Sequence, residues 1–111
     1  MPDCIFCRIA RKEVPADLLY EDDDVVAIND LNPRAPLHAL VIPRRHVERL
    51  ADLEDEALAG RITLAAAKVA KAQGHADAFR VVVNNGAGAG QSVFHLHFHV
   101  LGGRPFTWPP G

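Results

Sequence analysis

The stretch His95-Leu96-His97-Phe98-His99 alternates imidazoles with bulky apolar side chains, and a period of two along the chain is the signature of a β-strand. Alternate residues of a strand share a face and sit roughly 6.8 Å apart. All three rings then point one way, while Phe94, Leu96, Phe98 and Val100 fill the other side. One face of this strand is core and the other is polar. Leucines would pack better than titratable rings, so stability alone explains the pattern poorly and chemistry explains it well.

A chain of 111 residues forms one domain, 1–111, with a single core. Its formal charge of -2 shows no basic surplus of the kind that neutralises phosphates, which argues against long nucleic acid as a partner. The opening Met1-Pro2-Asp3-Cys4 lacks a basic region followed by an apolar run, and no stretch approaches the roughly 18 apolar residues of a membrane span. The expectation is a cytoplasmic protein with no membrane segment.

Periodicity and turn residues divide the rest. Residues 4–12 read as a short helix with Phe6, Ile9 and Ala10 on its apolar side, stopped near Val14-Pro15. Residues 18–21 and 25–28 flank Asp22-Asp23-Asp24 as a hairpin, and 38–42 form an apolar, β-branched strand closed by Pro43. A long helix is expected from an N-cap at Asp52, with Asp55 three positions on, to a stop at Gly74. Its many small residues, Ala57, Gly60 and Ala67 among them, suit either a dimer contact or close packing on the sheet. Residues 79–84 and 93–101 supply two more strands. The order ββ, β, α, ββ predicts an α+β fold, an antiparallel sheet with helices on one side.

Asn84 to Ser92 carries glycines at 86, 88 and 90 immediately before the histidine strand. Such a loop exposes backbone N–H groups to an anion, although it leads into a strand and has no lysine for a P-loop. A neutral imidazole is nucleophilic, so the central ring, His97, is placed to attack phosphorus and form a nucleotidyl-imidazole intermediate. A single metal held by all three rings is the rival, but His95 and His99 lie roughly 13 Å apart along a strand. Cys4 and Cys7 match half of a structural zinc site, for which His46 and one histidine of the strand are further candidate ligands. Asp30 is a candidate acceptor for ribose hydroxyls, His38 reaches toward the same face, and His75 beside Gly74 is expected in solvent.

Residues 95–101 resemble the His-φ-His-φ-His-φ-φ motif of the histidine triad (HIT) superfamily. Residues 3–15, the Asp30 loop, residues 36–46, Gly90-Gln91-Ser92 and the ending Trp108-Pro109-Pro110-Gly111 extend the resemblance to the Hint branch, the histidine triad nucleotide-binding proteins, over nearly the whole chain. The resemblance implies a HIT-like fold: a five-stranded antiparallel sheet with one long and one or two short helices, continued across a homodimer. It implies a purine nucleoside phosphoramidase that converts adenosine 5'-phosphoramidate-type conjugates to nucleoside monophosphate and amine, without an organic cofactor.

The same resemblance assigns roles. His97 is the nucleophile, the His95 carbonyl orients it, His99 contacts the phosphate and leaving-group side, and His38 supports the nucleophile. Ser92 and Gln91 contact phosphate, Asn84 edges it, and Asp30 holds the ribose. Phe6, Ile9, Val14, Ile28 and Leu31 build the apolar slot for the base. Cys4, Cys7, His46 and His95 hold a structural zinc ion, and the segment with Trp108 reaches toward the partner's site. Two other readings remain open at this point: a dinucleoside polyphosphate hydrolase or nucleotidyltransferase of the same superfamily, and a nucleotide-binding interaction module.

Overall fold

The computed structural model describes residues 4–111; residue 3 and the two before it lie outside the described part of the resemblance. The elements are α1 (Ile5–Ala10), β1 (Leu18–Glu21), β2 (Val25–Asn29), β3 (Leu37–Pro43), α2 (Glu56–Ala72), β4 (Phe79–Val82) and β5 (Phe98–Gly102). Five strands form one antiparallel sheet in the order β1-β2-β3-β5-β4, as the α+β expectation requires.

The sheet is covered on both faces, by α2 on one and α1 on the other, and not by helices on one side as the order of elements suggested, because its central strands carry apolar side chains on both faces. Val25, Ala27, Ala39, Val41, Phe98 and Val100 pack against Leu58, Ile62, Ala65, Ala66 and Val69 of α2. Val26, Ile28, Leu40 and Ile42, on alternate positions, meet Phe6, Ile9 and Ala10 of α1. A strand covered on both sides has no solvent face to keep polar, so β3, buried at all seven positions, is apolar throughout except for His38.

Each helix ends for a local reason. Cys4 Sγ accepts from Cys7 N at the start of α1, and Glu13 N returns to Arg8 O at 2.8 Å beyond its end. The N-cap of α2 is Asp55, whose Oδ1 accepts from Leu58 N at 3.0 Å. Asp52, the expected cap, instead closes a 3-10 turn over Leu50–Asp52 and pairs with Arg49 at 3.1 Å. The carboxylate three residues before the first buried apolar position, Leu58, is the one that reaches the free N–H groups. Gly74 at φ +84° ends α2 as expected, with His75 N donating to Ala70 O at 2.8 Å.

Three further expectations need correction. The histidine strand starts at Phe98, not at residue 93, because β3 stops at Pro43, which has no N–H for the ladder and whose carbonyl accepts from the His95 ring. Leu96 N turns to Val47 O at 2.7 Å instead. Phe94 is exposed, so only Leu96, Phe98 and Val100 fill the apolar side. His75 is half-buried against Gly102 and Gly103, where a Cβ on Gly102 would lie 3.0 Å from its ring. At the C-terminal end, Arg104 Nε donates to Arg34 O at 2.8 Å, and the Phe106 ring lies 4.4 Å from the Arg104 guanidinium and 5.1 Å from that of Arg80.

Candidate active site and metal centre

The α1-side face of the sheet carries a row of five imidazoles. Ring centroids are 4.9 Å apart for His46 and His95, 5.1 Å for His97 and His99, and 5.3 Å for His99 and His38. Phe6 stands edge-on to His95 at 6.0 Å and to His97 at 5.1 Å, bridging the middle of the row from α1. The three rings of the motif therefore share one side, as alternation demands, although only His99 lies within β5.

Backbone groups decide where each proton sits. A carbonyl only accepts, so the ring nitrogen facing it carries hydrogen. His95 Nε2 faces Pro43 O at 2.7 Å, and His97 Nδ1 faces His95 O at 2.8 Å. His95 Nδ1 and His97 Nε2 are left with free lone pairs. The N–H of Arg34 donates to His38 Nδ1 at 2.9 Å, so the proton of neutral His38 is on Nε2, which lies 3.0 Å from His99 Nδ1. When that hydrogen goes to His99, Nδ1 accepts and His99 carries its own proton on Nε2.

Burial favours the neutral form of three of these rings. It pushes His99 down to about 4, reinforced by the neighbouring His97 and His38 and partly offset by Asp30. It pushes His95 down to about 4 as well, against the opposing bond to Pro43. His38 is lowered by burial, with Asp30 opposing.

Among the described residues, two side-chain groups have metal-binding composition, and their proton patterns separate them. In the first, His95 Nδ1 lies 3.2 Å from Cys4 Sγ, 3.5 Å from Cys7 Sγ and 3.2 Å from His46 Nδ1, with Cys7 Sγ 3.4 Å from His46 Nδ1. Zinc bonds of about 2.0–2.1 Å to nitrogen and 2.3 Å to sulfur give tetrahedral edges of roughly 3.3–3.6 Å, close to these separations. The His95 lone pair points into the cluster while its Nε2–H is held by Pro43, the outer-shell bond a ligating imidazole needs. Burial raises the Cys7 thiol, which a cation's charge reverses. The donors fit a tetrahedral metal ion.

The second group is Asp30, His38 and His99. Here the nitrogen that would meet a cation, His38 Nε2, bears the proton that Arg34 N–H forces onto it. This group is built to share a hydrogen, not to hold a metal. His38 contacts His99, whereas the sequence expectation had it supporting His97.

The remaining candidates divide. Asp30 Oδ2 lies 3.3 Å from His38 Nε2, and its Oδ1 accepts from Asn32 N at 2.8 Å. Gln91 is buried: its oxygen accepts from Gly86 N at 2.8 Å and its amide donates to the carbonyls of Glu48 and Val93. That side chain braces the glycine loop, where Gly90 at φ +97° takes a conformation other residues avoid and lies beside the Asn84 amide. Ser92, next along, is exposed. Phe6, Ile9 and Ile28 are buried, and Ile9 and Val14 line a cavity of about 410 Å³ with Leu18 and Pro15, rimmed by Lys12 and Glu13. Leu31, expected in the apolar slot, is fully exposed because it lies in the Asp30–Asn32 turn outside the sheet.

The backbone partners of these rings, Pro43 O, His95 O and Arg34 N–H, are functional groups that reading side chains one by one does not find, apart from the His95 carbonyl that the family resemblance supplied. Only Pro43 left a trace in the sequence, as a strand terminator.

The HIT domain family matches residues 11–106. An uncharacterized HIT-like protein of Synechocystis sp. is 54% identical over 111 residues, covering 98% of this chain and 97% of that one. Among solved structures, a HIT family hydrolase from Legionella pneumophila Philadelphia 1 is similar with a TM-score of 0.95 at 43% identity, covering 98% of this chain and 100% of that chain. A histidine triad protein from Clostridium difficile gives 0.91 at 44% identity, covering 96% of each chain. Fold, imidazole row and family match coincide along one polypeptide, and the chain belongs to the HIT domain family.

Proposed function

We propose that the chain is a purine nucleoside phosphoramidase of the histidine triad nucleotide-binding branch, hydrolysing adenosine 5'-phosphoramidate-type conjugates to nucleoside monophosphate and amine. The observation that carries this reading is the 2.8 Å bond from His97 Nδ1–H to His95 O, which leaves Nε2 unprotonated beside a second imidazole. That nitrogen attacks phosphorus, the P–N bond breaks, and its electron pair leaves with the amine nitrogen, which takes a proton from solvent. The nucleotidyl group now rides on Nε2, and the positive charge of the ring is met by the His95 carbonyl. Water then adds to phosphorus, the P–Nε2 bond breaks, the water proton goes to solvent, and the monophosphate departs.

The neighbouring groups act electrostatically. His99, neutral and protonated on Nε2, donates to the phosphoryl oxygens together with the Ser92 hydroxyl. Gln91 and Asn84 shape the glycine loop beside the phosphate. Asp30 takes the ribose hydroxyls, and Phe6, Ile9, Val14 and Ile28 offer the apolar slot for the base, with Leu31 free to lie over it.

Cys4, Cys7, His46 and His95 are assigned a structural zinc ion. With four protein ligands it supplies cross-linking of α1 to the sheet and no open position for substrate. A cytoplasmic homodimer with a continuous sheet completes the proposal, supported by the exposed Val81 on edge strand β4 and the exposed Leu64 on α2.

The test is mass spectrometry without acid, on protein mixed with adenosine 5'-phosphoramidate. An adduct of one nucleoside monophosphate that vanishes in His97→Ala is the expected result. Faster turnover of a dinucleoside polyphosphate than of the phosphoramidate overturns the substrate assignment in favour of the polyphosphate reading.

A further inference from the structure

One hydrogen on this face has two acceptors. Arg34 N–H occupies His38 Nδ1, so Nε2–H is the only donor of that ring. It lies 3.0 Å from His99 Nδ1 and 3.3 Å from Asp30 Oδ2. Neither acceptor is free to swing away. Asp30 Oδ1 is tied to Asn32 N at 2.8 Å, Asp30 N donates to His38 O at 2.9 Å, and His99 sits in β5 opposite Leu40 of β3.

The two bonds have different consequences. A bond to Asp30 is assisted by the carboxylate charge. A bond to His99 Nδ1 pins that ring in the form with hydrogen on Nε2, the donor the proposed chemistry uses. Whatever weakens Asp30 as an acceptor strengthens the hold on His99. The Asp30 side chain is 20% exposed, so a ligand reaches its remaining lone pairs.

We propose that Asp30 is a positioning residue that couples recognition of the sugar to His99: ribose hydroxyls donating to its carboxylate release the His38 hydrogen wholly to His99. This rests on the nucleotide reading given above and extends it. The ribose is then read in the rate of the chemical step as well as in binding. Losing one charge-assisted competition of this kind corresponds to about tenfold in kcat.

The test uses the full chain labelled with 15N on histidine and 13C on methyl groups. Adenosine and 2',3'-dideoxyadenosine are each added to saturation, read from the Ile9 and Val14 methyl shifts. Adenosine is expected to move the His99 ring nitrogens toward the single form protonated on Nε2, and the dideoxy compound is expected to leave them where they were. In Asp30→Ala the two nucleosides should give the same His99 spectrum. Asp30→Asn repeats the comparison with the Asn32 bond kept, because its amide oxygen still accepts from Asn32 N while its NH2 cannot compete for a hydrogen.

In kinetics, the 2',3'-dideoxy phosphoramidate should fall about tenfold in kcat with the natural chain, and that difference should disappear in both variants. Equal His99 responses to two bound nucleosides, or a difference confined to KM, overturns the proposal and leaves the phosphoramidase reading standing. Methyl shifts that fail to respond to adenosine at all overturn the nucleotide reading itself, and this inference with it.

Discussion

His97 donates to the main-chain oxygen of His95 at 2.8 Å, while the His95 ring turns the other way and donates to Pro43 at 2.7 Å. Residue 95 thus has two attachments: its imidazole belongs to the cysteine cluster and its carbonyl fixes the proton of the next ring. A disturbance of the cluster therefore has two routes to the His97 ring, through residue 95 and through Phe6, which lies between the two cysteines in the chain and stands edge-on to His97 at 5.1 Å.

His97→Ala is expected to lower phosphoramidate turnover on the order of 10⁴-fold or more, with nucleotide affinity changed little, since only the attacking nitrogen is lost. Steady-state rates together with equilibrium binding of a nucleoside monophosphate check both halves. Unchanged turnover would remove the ring from its assigned role.

Cys7→Ser is expected to abolish stoichiometric zinc binding and to lower the melting temperature by at least 10 °C, about 2 kcal/mol for a chain of this size. Elemental analysis of purified protein and thermal melting with and without chelator give the two readouts. A natural chain that carries no metal, and melts identically in chelator, contradicts the assignment.

Acid should destabilise the fold over a defined window. His99 titrates at about 4 in the folded chain because burial disfavours its charge, against an ordinary value near 6.5. The unfolded chain therefore binds the proton first as pH falls. The stability associated with the neutral ring is complete above about pH 6.5 and is lost progressively toward pH 4. His38 is shifted in the same direction. Urea midpoints should stay level above pH 7 and fall between 6.5 and 4, and His99→Asn should flatten part of that slope.

The corrected cap gives a comparison of two neighbouring carboxylates. Asp55→Ala should cost about 1 kcal/mol through loss of the bond to Leu58 N, whereas Asp52→Ala, exposed and paired with Arg49, should cost no more than about 0.5 kcal/mol. Denaturant titrations of the two variants decide, and a larger loss at Asp52 would return the cap to the position first expected.

Side-chain patterns carried much of this site. The spacing at 95, 97 and 99 placed three rings on one side of a sheet, and the pair Cys4 and Cys7, with His46, pointed to the cluster that their sulfur and nitrogen atoms form. The helix stop at Gly74 and the hairpin over Asp22–Asp24 were equally plain, because glycine and acidic turn residues act locally. The rest depended on tertiary partners. The late start of the histidine strand follows from what Pro43 offers across the sheet, and the half-burial of His75 follows from two glycines 27 and 28 residues away in sequence. Gln91, which resembles a phosphate contact, spends its amide on the loop because Glu48 and Val93 present carbonyls to it.

The peptide groups at 34, 43 and 95 have a consequence for engineering. They direct the hydrogens of the row without using any side chain of their own, so residue 34 tolerates replacement by any amino acid except proline that keeps the same chain path, since proline would remove the N–H that donates to His38. Transplanting the five imidazoles onto another scaffold would reproduce the composition and lose the hydrogen pattern. A successful graft must carry the connecting loops, because the instruction lies in where the main chain runs.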